Sequence, residues 1–139
     1  MYENILFAVE FCHSEDVVGQ KVKQLAEKFQ AKLFLIHAVE LPHADIFPEI
    51  PNKEKSYLDH ARNQLKETGQ HLNVPIANQH AEIGDPTTVI SEFIKQRDID
   101  LLVIGHHEKT GIYRILGSTA YALLAHAKYE VLVIPYSTY

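Results

Sequence analysis

Four apolar residues, Leu101 to Ile104, are followed by Gly105 and by a loop that ends at Gly117, Ser118 and Thr119. An apolar run of this length is too short for a helix and is typical of a buried parallel strand. The Gly-Ser-Thr triplet has the composition of a helix start, where free backbone N–H groups can hold an anion. A strand, a glycine-containing loop and a capped helix together predict a phosphate-binding site.

Structural roles also account for these residues. The Gly117–Thr119 triplet is compatible with a simple helix cap, and Gly105 with the end of a strand. Glu10 follows the first predicted strand, and a carboxylate there is more typical of a solvated or capping group than of a general base. Ser118 lacks the Gly-x-Ser-x-Gly setting of a hydrolase nucleophile, so the sequence predicts no hydrolase.

The histidines and the cysteine give weaker signals. His106 and His107 are adjacent and His43 lies near Asp45, but no spacing typical of a metal site supports them, and we predict no metal. His37, within an apolar run, is expected to be packed and hydrogen-bonded rather than catalytic. Cys12 is either a redox-active thiol near a helix start or, as is usual for a lone thiol, an inert one.

Composition narrows the class of protein. The length of 139 residues predicts a single domain, residues 1–139. A net charge of −5 argues against a nucleic-acid partner. No apolar run is long enough to span a membrane, and the N-terminus lacks the features of a signal peptide. With a single cysteine, these features predict a cytoplasmic protein.

Apolar periodicity predicts five strands alternating with four helices. The predicted strands are Asn4–Val9, Leu33–Val39, Ile76–Ile83, Leu101–Ile104 and Val131–Ile134. The predicted helices run from Ser14 to about Gln30, from Asn52 to about Gly69, from the Asp85-Pro86 start, and from about Ser118 to Ala127. Tyr57 and Leu124 are expected on buried helix faces. The alternation predicts an α/β fold with a single open parallel five-stranded sheet and helices on both faces.

Ligands of such sheets bind beyond the carboxyl ends of the strands, near the point where strand order reverses. The candidate ligand-binding residues are therefore those at the ends of the first, second and fourth strands and at the last helix start. They are Ala8, Val9, Glu10, Ala38, Ile104, Gly105, Gly117, Ser118 and Thr119.

Over its whole length the chain resembles the universal stress protein family. The segments that carry the resemblance are Ile5–Glu10, Leu35–Ala38, Gly84–Pro86, Asp100–His107, Leu116–Thr119 and Val131–Pro135. The resemblance implies a Rossmann-like fold of the adenine nucleotide alpha hydrolase type and a cytoplasmic homodimer. It also implies a non-enzymatic role in the response to stress or growth arrest.

The resemblance leaves two hypotheses about nucleotides. One branch of the family binds ATP through Gly-x2-Gly-x9-Gly-Ser/Thr, and here Glu108 replaces the second glycine and eight residues stand where the motif has nine. A carboxylate about 4 Å from a phosphate costs about 4 kcal/mol per charge pair at an effective dielectric constant near 20. The Gly-His-His run at 105–107 is more similar to the universal stress protein A branch, which implies a degraded nucleotide site. The alternative is a module that binds ATP or AMP, with Mg²⁺ bridging Glu108 and the phosphates.

The C-terminal strand indicates a partner. Val131–Ile134 at a sheet edge would expose unpaired backbone groups that invite a second copy, and the resemblance implies a homodimer there. Pro135 would limit further pairing, and the alternative is that the chain itself covers this edge. The proline-rich segment Leu41–Pro51 is a further candidate for contact with a ligand or a protein partner.

Overall fold

Strands and helices alternate along the chain. The computed structural model describes residues 1–12, 15–41, 53–106, 117–125 and 128–136, with the backbone alone at 117–120. The strands in these ranges are β1 (Asn4–Ala8), β2 (Lys32–Val39), β3 (Gln79–Ile83), β4 (Leu101–His106) and β5 (Glu130–Pro135). The helices are α1 (Glu15–Phe29), α2 (Lys53–Leu72), α3 (Pro86–Arg97) and α4 (Gly117–Ala125), with one 3-10 turn at Ile76–Asn78.

The five strands form one parallel sheet in the order β3-β2-β1-β4-β5. The chain builds outward from β1 to β3, then crosses back to place β4 on the other side of β1. Strand order therefore reverses between β1 and β4, and the carboxyl ends of these two strands flank the expected ligand crevice. The α/β fold class predicted from the sequence is confirmed.

Two apolar clusters cover the two faces of the sheet. On one face α1 and α2 pack on the sheet through Val18, Val22, Ala26, Leu65 and Leu72. On the other face α3 and α4 pack on it through Val89, Ile90, Phe93, Ile94 and Leu123. Successive strand residues alternate between the faces, as period-2 geometry requires, so Phe7 belongs to the first cluster and Leu6 to the second. No helix in the described ranges is both long and apolar enough to cross a bilayer.

The start of α3 follows its sequence signal. The Asp85 carboxylate accepts a hydrogen bond from the backbone N–H of Thr88 at 3.1 Å, and Pro86 is the first helical residue. The helix ends at Arg97, and the left-handed backbone of Asp98 (φ 52°) turns the chain so that the N–H of Ile99 also donates to the carbonyl of Ile94, at 3.2 Å. The predicted Asp85 cap is confirmed.

Two strand predictions need correction. Ile76–Asn78 form a 3-10 turn, so the third strand begins only at Gln79. The fourth strand continues through Gly105 to His106, so Gly105 does not end it. Pairing with β5 explains the extension, because Gly105 lies opposite Ile134 and His106 lies opposite Pro135.

Two side chains expected in the core are exposed. Tyr57 on α2 and Leu124 on α4 are 39% and 38% exposed, because each lies at the margin of its helix's buried stripe. Helix α2 also continues past the predicted end at Gly69 to Leu72. The predicted helix starts at Ser14 and Asn52 and the predicted helix end at Ala127 lie outside the described residues.

Candidate functional site

Six of the nine predicted ligand-binding residues lie at the carboxyl edge of the sheet. Ala8 ends β1 and is followed by Val9 and Glu10, while Ala38 lies near the end of β2. Ile104 and Gly105 lie in the last part of β4, opposite the corresponding part of β1, where Ala8 pairs with Ile104. These positions belong to three neighbouring strands, so they flank the crevice at the reversal of strand order.

The edge residues do not all face the same way. Val9 belongs to the cluster beneath α1 and α2. Ala8 and Ile104 belong to the cluster beneath α3 and α4, and Ala38 packs against it. The residues at this edge therefore belong to two different faces of the sheet.

Gly117 begins α4, as the sequence predicted for a helix start between residues 117 and 119. The backbone of Ser118 and Thr119 forms the first turn of this helix. The loop that carries His107 and Glu108 lies outside the described residues. The assignment of Gly117, Ser118 and Thr119 to a ligand site stays a prediction.

On the α1 side the crevice is organised by the carboxylate of Glu15. Glu15 is the first residue of α1 and only 6% exposed. One carboxylate oxygen accepts the backbone N–H of Glu10 at 2.6 Å, and the other accepts that of Phe11 at 3.0 Å. Phe11 itself has a left-handed backbone with φ 59°. The carboxylate thus satisfies two donors in the turn after β1.

Tyr136 closes the same side of the crevice from the end of β5. Its hydroxyl group donates to Oε2 of Glu15 at 3.2 Å, and its backbone N–H donates to the carbonyl of His106 at 2.8 Å. The side chain is 3% exposed, and its ring lies so close to Gly105 that a methyl group there would overlap it. Only a glycine at position 105 leaves room for this ring.

Burial sets the protonation of this pair. Burial raises the pKa of the Glu15 carboxyl, against the hydrogen bonds from Glu10, Phe11 and Tyr136 that lower it. Burial also raises the pKa of the Tyr136 hydroxyl, and the nearby Glu15 and Glu10 carboxylates raise it further. The phenol therefore stays protonated and acts as the donor.

His37 is the packed histidine that the sequence predicted. Its Nδ1 lies 2.6 Å from the carbonyl oxygen of Val9, which can only accept, so Nδ1 carries the proton. Its ring packs on Phe11 at 4.4 Å between centroids. His37 thus fixes the turn after β1 and takes the structural role expected of it.

His106 lies at the end of β4 with a buried Nδ1 that has no hydrogen-bond partner among the described residues. Its neighbour His107 lies outside those residues. Within the described ranges no three His, Cys, Asp or Glu side chains converge on a point that would hold a metal ion.

Sequence reasoning missed Glu15 and Tyr136. The available signal was weak: a turn between a buried strand and a helix needs acceptors for its N–H groups, and an acid at the helix start is the usual supplier.

The comparisons with known proteins agree with this architecture. The sequence model of the universal stress protein family matches residues 1–135. Universal stress protein A homolog 2 of Coxiella burnetii is 31% identical over 140 residues, which cover 96% of this chain and 94% of that protein. The chain belongs to the universal stress protein family.

Two solved structures share the fold. The hypothetical protein MJ0577 is 19% identical with a TM-score of 0.79, over 100% of this chain and 99% of that one. A universal stress protein in complex with cAMP is 21% identical with a TM-score of 0.60, over 98% of both chains. These neighbours confirm the Rossmann-like fold predicted from the sequence.

Proposed function

We propose that this universal stress protein is a cytoplasmic, non-enzymatic homodimer that acts in the response to stress or growth arrest and does not depend on bound ATP. Its action would then rest on protein partners or on ligands other than nucleoside triphosphates. The engagement of Glu15 within the crevice carries this proposal.

An internal anion already occupies the turn after β1. The Glu15 carboxylate takes the N–H groups of Glu10 and Phe11, and the exposed side chain of Glu10 adds a second acid at this edge. The phosphate site predicted from the sequence lies at the start of α4, so any phosphate group that reached the turn after β1 would find both N–H groups engaged. It would also meet like charge, at about 4 kcal/mol for each pair about 4 Å apart at an effective dielectric constant near 20. This arrangement supports a degraded nucleotide site.

The same carboxylate is not available as a general base. Glu15 is the buried charged residue among those described, and its oxygens are engaged by two backbone N–H groups and by the Tyr136 hydroxyl. A general base must instead be free to reach a substrate proton or a water molecule. We therefore assign no catalytic residue.

The backbone of β5 supports a dimer through this strand. The N–H groups of Glu130 and Tyr136 point toward β4, where they bond to Asp100 and His106. Because successive residues of a strand point their backbone groups to opposite sides, those of Val131 and Val133 point to the open edge. Pro135 also faces the open edge but has no N–H to donate. A second copy can therefore pair with Val131 and Val133, and the pairing ends before Pro135.

The first experiment identifies bound nucleotide. The protein is purified natively and denatured, and any released nucleotide is identified by mass spectrometry. ATP–Mg and AMP are then titrated by thermal shift, since a ligand of the native state raises its melting temperature. The proposal predicts no released triphosphate and no shift with ATP–Mg at millimolar concentration. Stoichiometric ATP would overturn it.

The second experiment tests the dimer edge. Val133→Pro removes an N–H that points away from β4, and Ala81→Pro makes the matched change on β3 at the opposite edge of the sheet. Sedimentation of wild type should give a dimer. We expect Val133→Pro to weaken self-association at least tenfold and Ala81→Pro to leave it intact. A wild-type monomer, or equal effects of both prolines, would contradict the β5 dimer.

A nucleotide-dependent regulatory module is the second candidate function. The neighbour crystallised with cAMP favours it, as do the small side chains of Ala8 and Ala38 on the α3/α4 side of the crevice. AMP, cAMP or an inorganic anion at the start of α4 would need only free N–H groups there. Binding of AMP or cAMP that is lost in Gly117→Val would establish this candidate, whereas an unaltered ligand profile would dismiss it.

A further inference from the structure

The ring of Tyr136 fills a space that the strands themselves leave open. The space lies beside Gly105 on the α1 face of the sheet, where Tyr136 belongs to the same apolar cluster as Val9 and Val103. The ring that occupies it comes from the residue after β5, not from β1, β4 or α1, which surround the crevice. An aromatic side chain near the end of the chain is thus inserted at the reversal of strand order.

The space has one polar end, and that end does not depend on Tyr136. Oε2 of Glu15 receives the phenol hydroxyl at 3.2 Å, while the backbone N–H groups of Glu10 and Phe11 hold the carboxyl group in place. Removal of the phenol would therefore leave a preorganised acceptor facing an apolar slot. A slot of this kind selects a flat ring with a donor at its edge.

We propose that the space beside Gly105 is a latent binding site for an uncharged aromatic ring carrying a hydrogen-bond donor, such as a phenol, and that Tyr136 is its tethered occupant. The backbone at Gly105 forms the flat wall against which the ring lies. Glu15 receives the donor, and together with Glu10 it disfavours a negative charge at that end. The ligand class differs from nucleoside phosphates, although Gly105 also belongs to the ligand-binding residues predicted from the sequence.

Tethering explains how such a site remains hidden. A side chain attached to the protein competes with an effective concentration of roughly millimolar or more, so a weaker free ligand does not enter. A ligand that displaced Tyr136 would also strain the bond from its N–H to His106. If the protein dimerises through β5, as proposed above, such a ligand would perturb the end of the strand that forms the dimer. This consequence rests on the proposed function.

The test uses p-cresol, which reproduces the tyrosine side chain. Tyr136→Ala empties the slot, and Tyr129→Ala makes the same change at a partly buried tyrosine on the α3/α4 face. Binding is measured by calorimetry and thermal shift on variants whose circular dichroism matches wild type. We expect p-cresol to bind Tyr136→Ala at least tenfold more tightly than it binds wild type or Tyr129→Ala.

Toluene serves as the matched ligand because it lacks only the hydroxyl group. A hydrogen bond to Glu15 predicts that p-cresol binds Tyr136→Ala on the order of tenfold more tightly than toluene. If Tyr136→Ala does not fold, Tyr136→Val keeps part of the apolar contact and is compared with the same two ligands. The proposal would be overturned if p-cresol bound the Tyr136 variant no more tightly than it binds Tyr129→Ala. It would also be overturned if the Tyr136 variant bound p-cresol and toluene equally. Neither result depends on nucleotide content or on the dimer.

Discussion

The hydroxyl group of Tyr136 lies 3.2 Å from Oε2 of Glu15, although 121 positions separate the two residues in the sequence. The bond joins the residue after β5 to the first residue of α1. Glu15 also accepts hydrogen bonds from the turn after β1, so its carboxyl group connects α1, that turn and the residue after β5. Substitutions in this cluster and at the α3 cap give four tests of the structure.

Glu15→Gln should change how stability depends on pH. Burial raises the pKa of Glu15 in the folded state above its ordinary value of 4.5. As the pH increases, the unfolded chain therefore loses this proton before the folded chain does. Wild type then loses stability from about pH 4.5 upward, until the pH has passed the raised pKa. Glutamine has no such proton. The free energy of unfolding of Glu15→Gln relative to that of wild type, measured with urea, should therefore be higher at pH 7.5 than at pH 4.5.

Asp16→Asn is the control for the Glu15 experiment, because it removes an exposed carboxyl group from the same turn of α1. It reports the general effect of losing one negative charge at this helix start. A stability difference between Glu15→Gln and wild type that stays constant across the pH range would contradict the burial of the Glu15 charge.

Tyr136→Phe should destabilise the fold by about 1–3 kcal/mol, because it removes one donor from a buried carboxyl group. Tyr2→Phe is the matched control, since Tyr2 also donates to a glutamate, Glu130, but in an exposed hydrogen bond. We expect a smaller loss for Tyr2→Phe. Urea unfolding at one fixed protein concentration measures both, and equal losses would argue against a special role for the buried bond.

Gly105→Ala should destabilise the protein by about 1–3 kcal/mol, because its methyl group would overlap the Tyr136 ring. A double-mutant cycle with Tyr136→Ala should remove most of that penalty, since the ring is then gone. Additive effects would show that the two residues are not in contact.

Gly19→Ala is the control for the Gly105 substitution. Its methyl group would meet Leu72 at 3.3 Å, against the end of a side chain that can move, and it lies within α1, where alanine is preferred to glycine. The variant should unfold at a urea concentration equal to or above that of wild type. A loss as large as that of Gly105→Ala would point to general intolerance of glycine replacement.

Asp85→Ala should cost about 1 kcal/mol, the usual penalty for losing a side-chain cap at a helix start. The Asp85 carboxylate accepts the N–H of Thr88, and Asp85→Asn keeps an acceptor at the same place. Thermal unfolding should separate the two variants, with asparagine close to wild type. Indistinguishable melting temperatures for alanine and asparagine would contradict the capping role.

Several features follow from the sequence because they depend on neighbouring residues. Strand and helix periodicity predicted the alternating elements, and Asp85-Pro86 predicted the start of α3, since caps act within one helical turn. His37 was expected to be packed because it lies within an apolar run. The turn at Ile76–Asn78 was read as strand because three residues carry too little periodicity to distinguish a 3-10 turn from an extended segment.

The sequence by itself thus determined the elements, their order and which residues lie at the carboxyl edge of the sheet. The tertiary structure alone decided what fills that edge. The length of β4 depends on its pairing with β5, and Gly105 receives the ring of Tyr136 only because parallel pairing places the ends of these strands side by side. The Glu15–Tyr136 bond likewise joins residues that only the folded chain brings together, and no local pattern specifies such a contact.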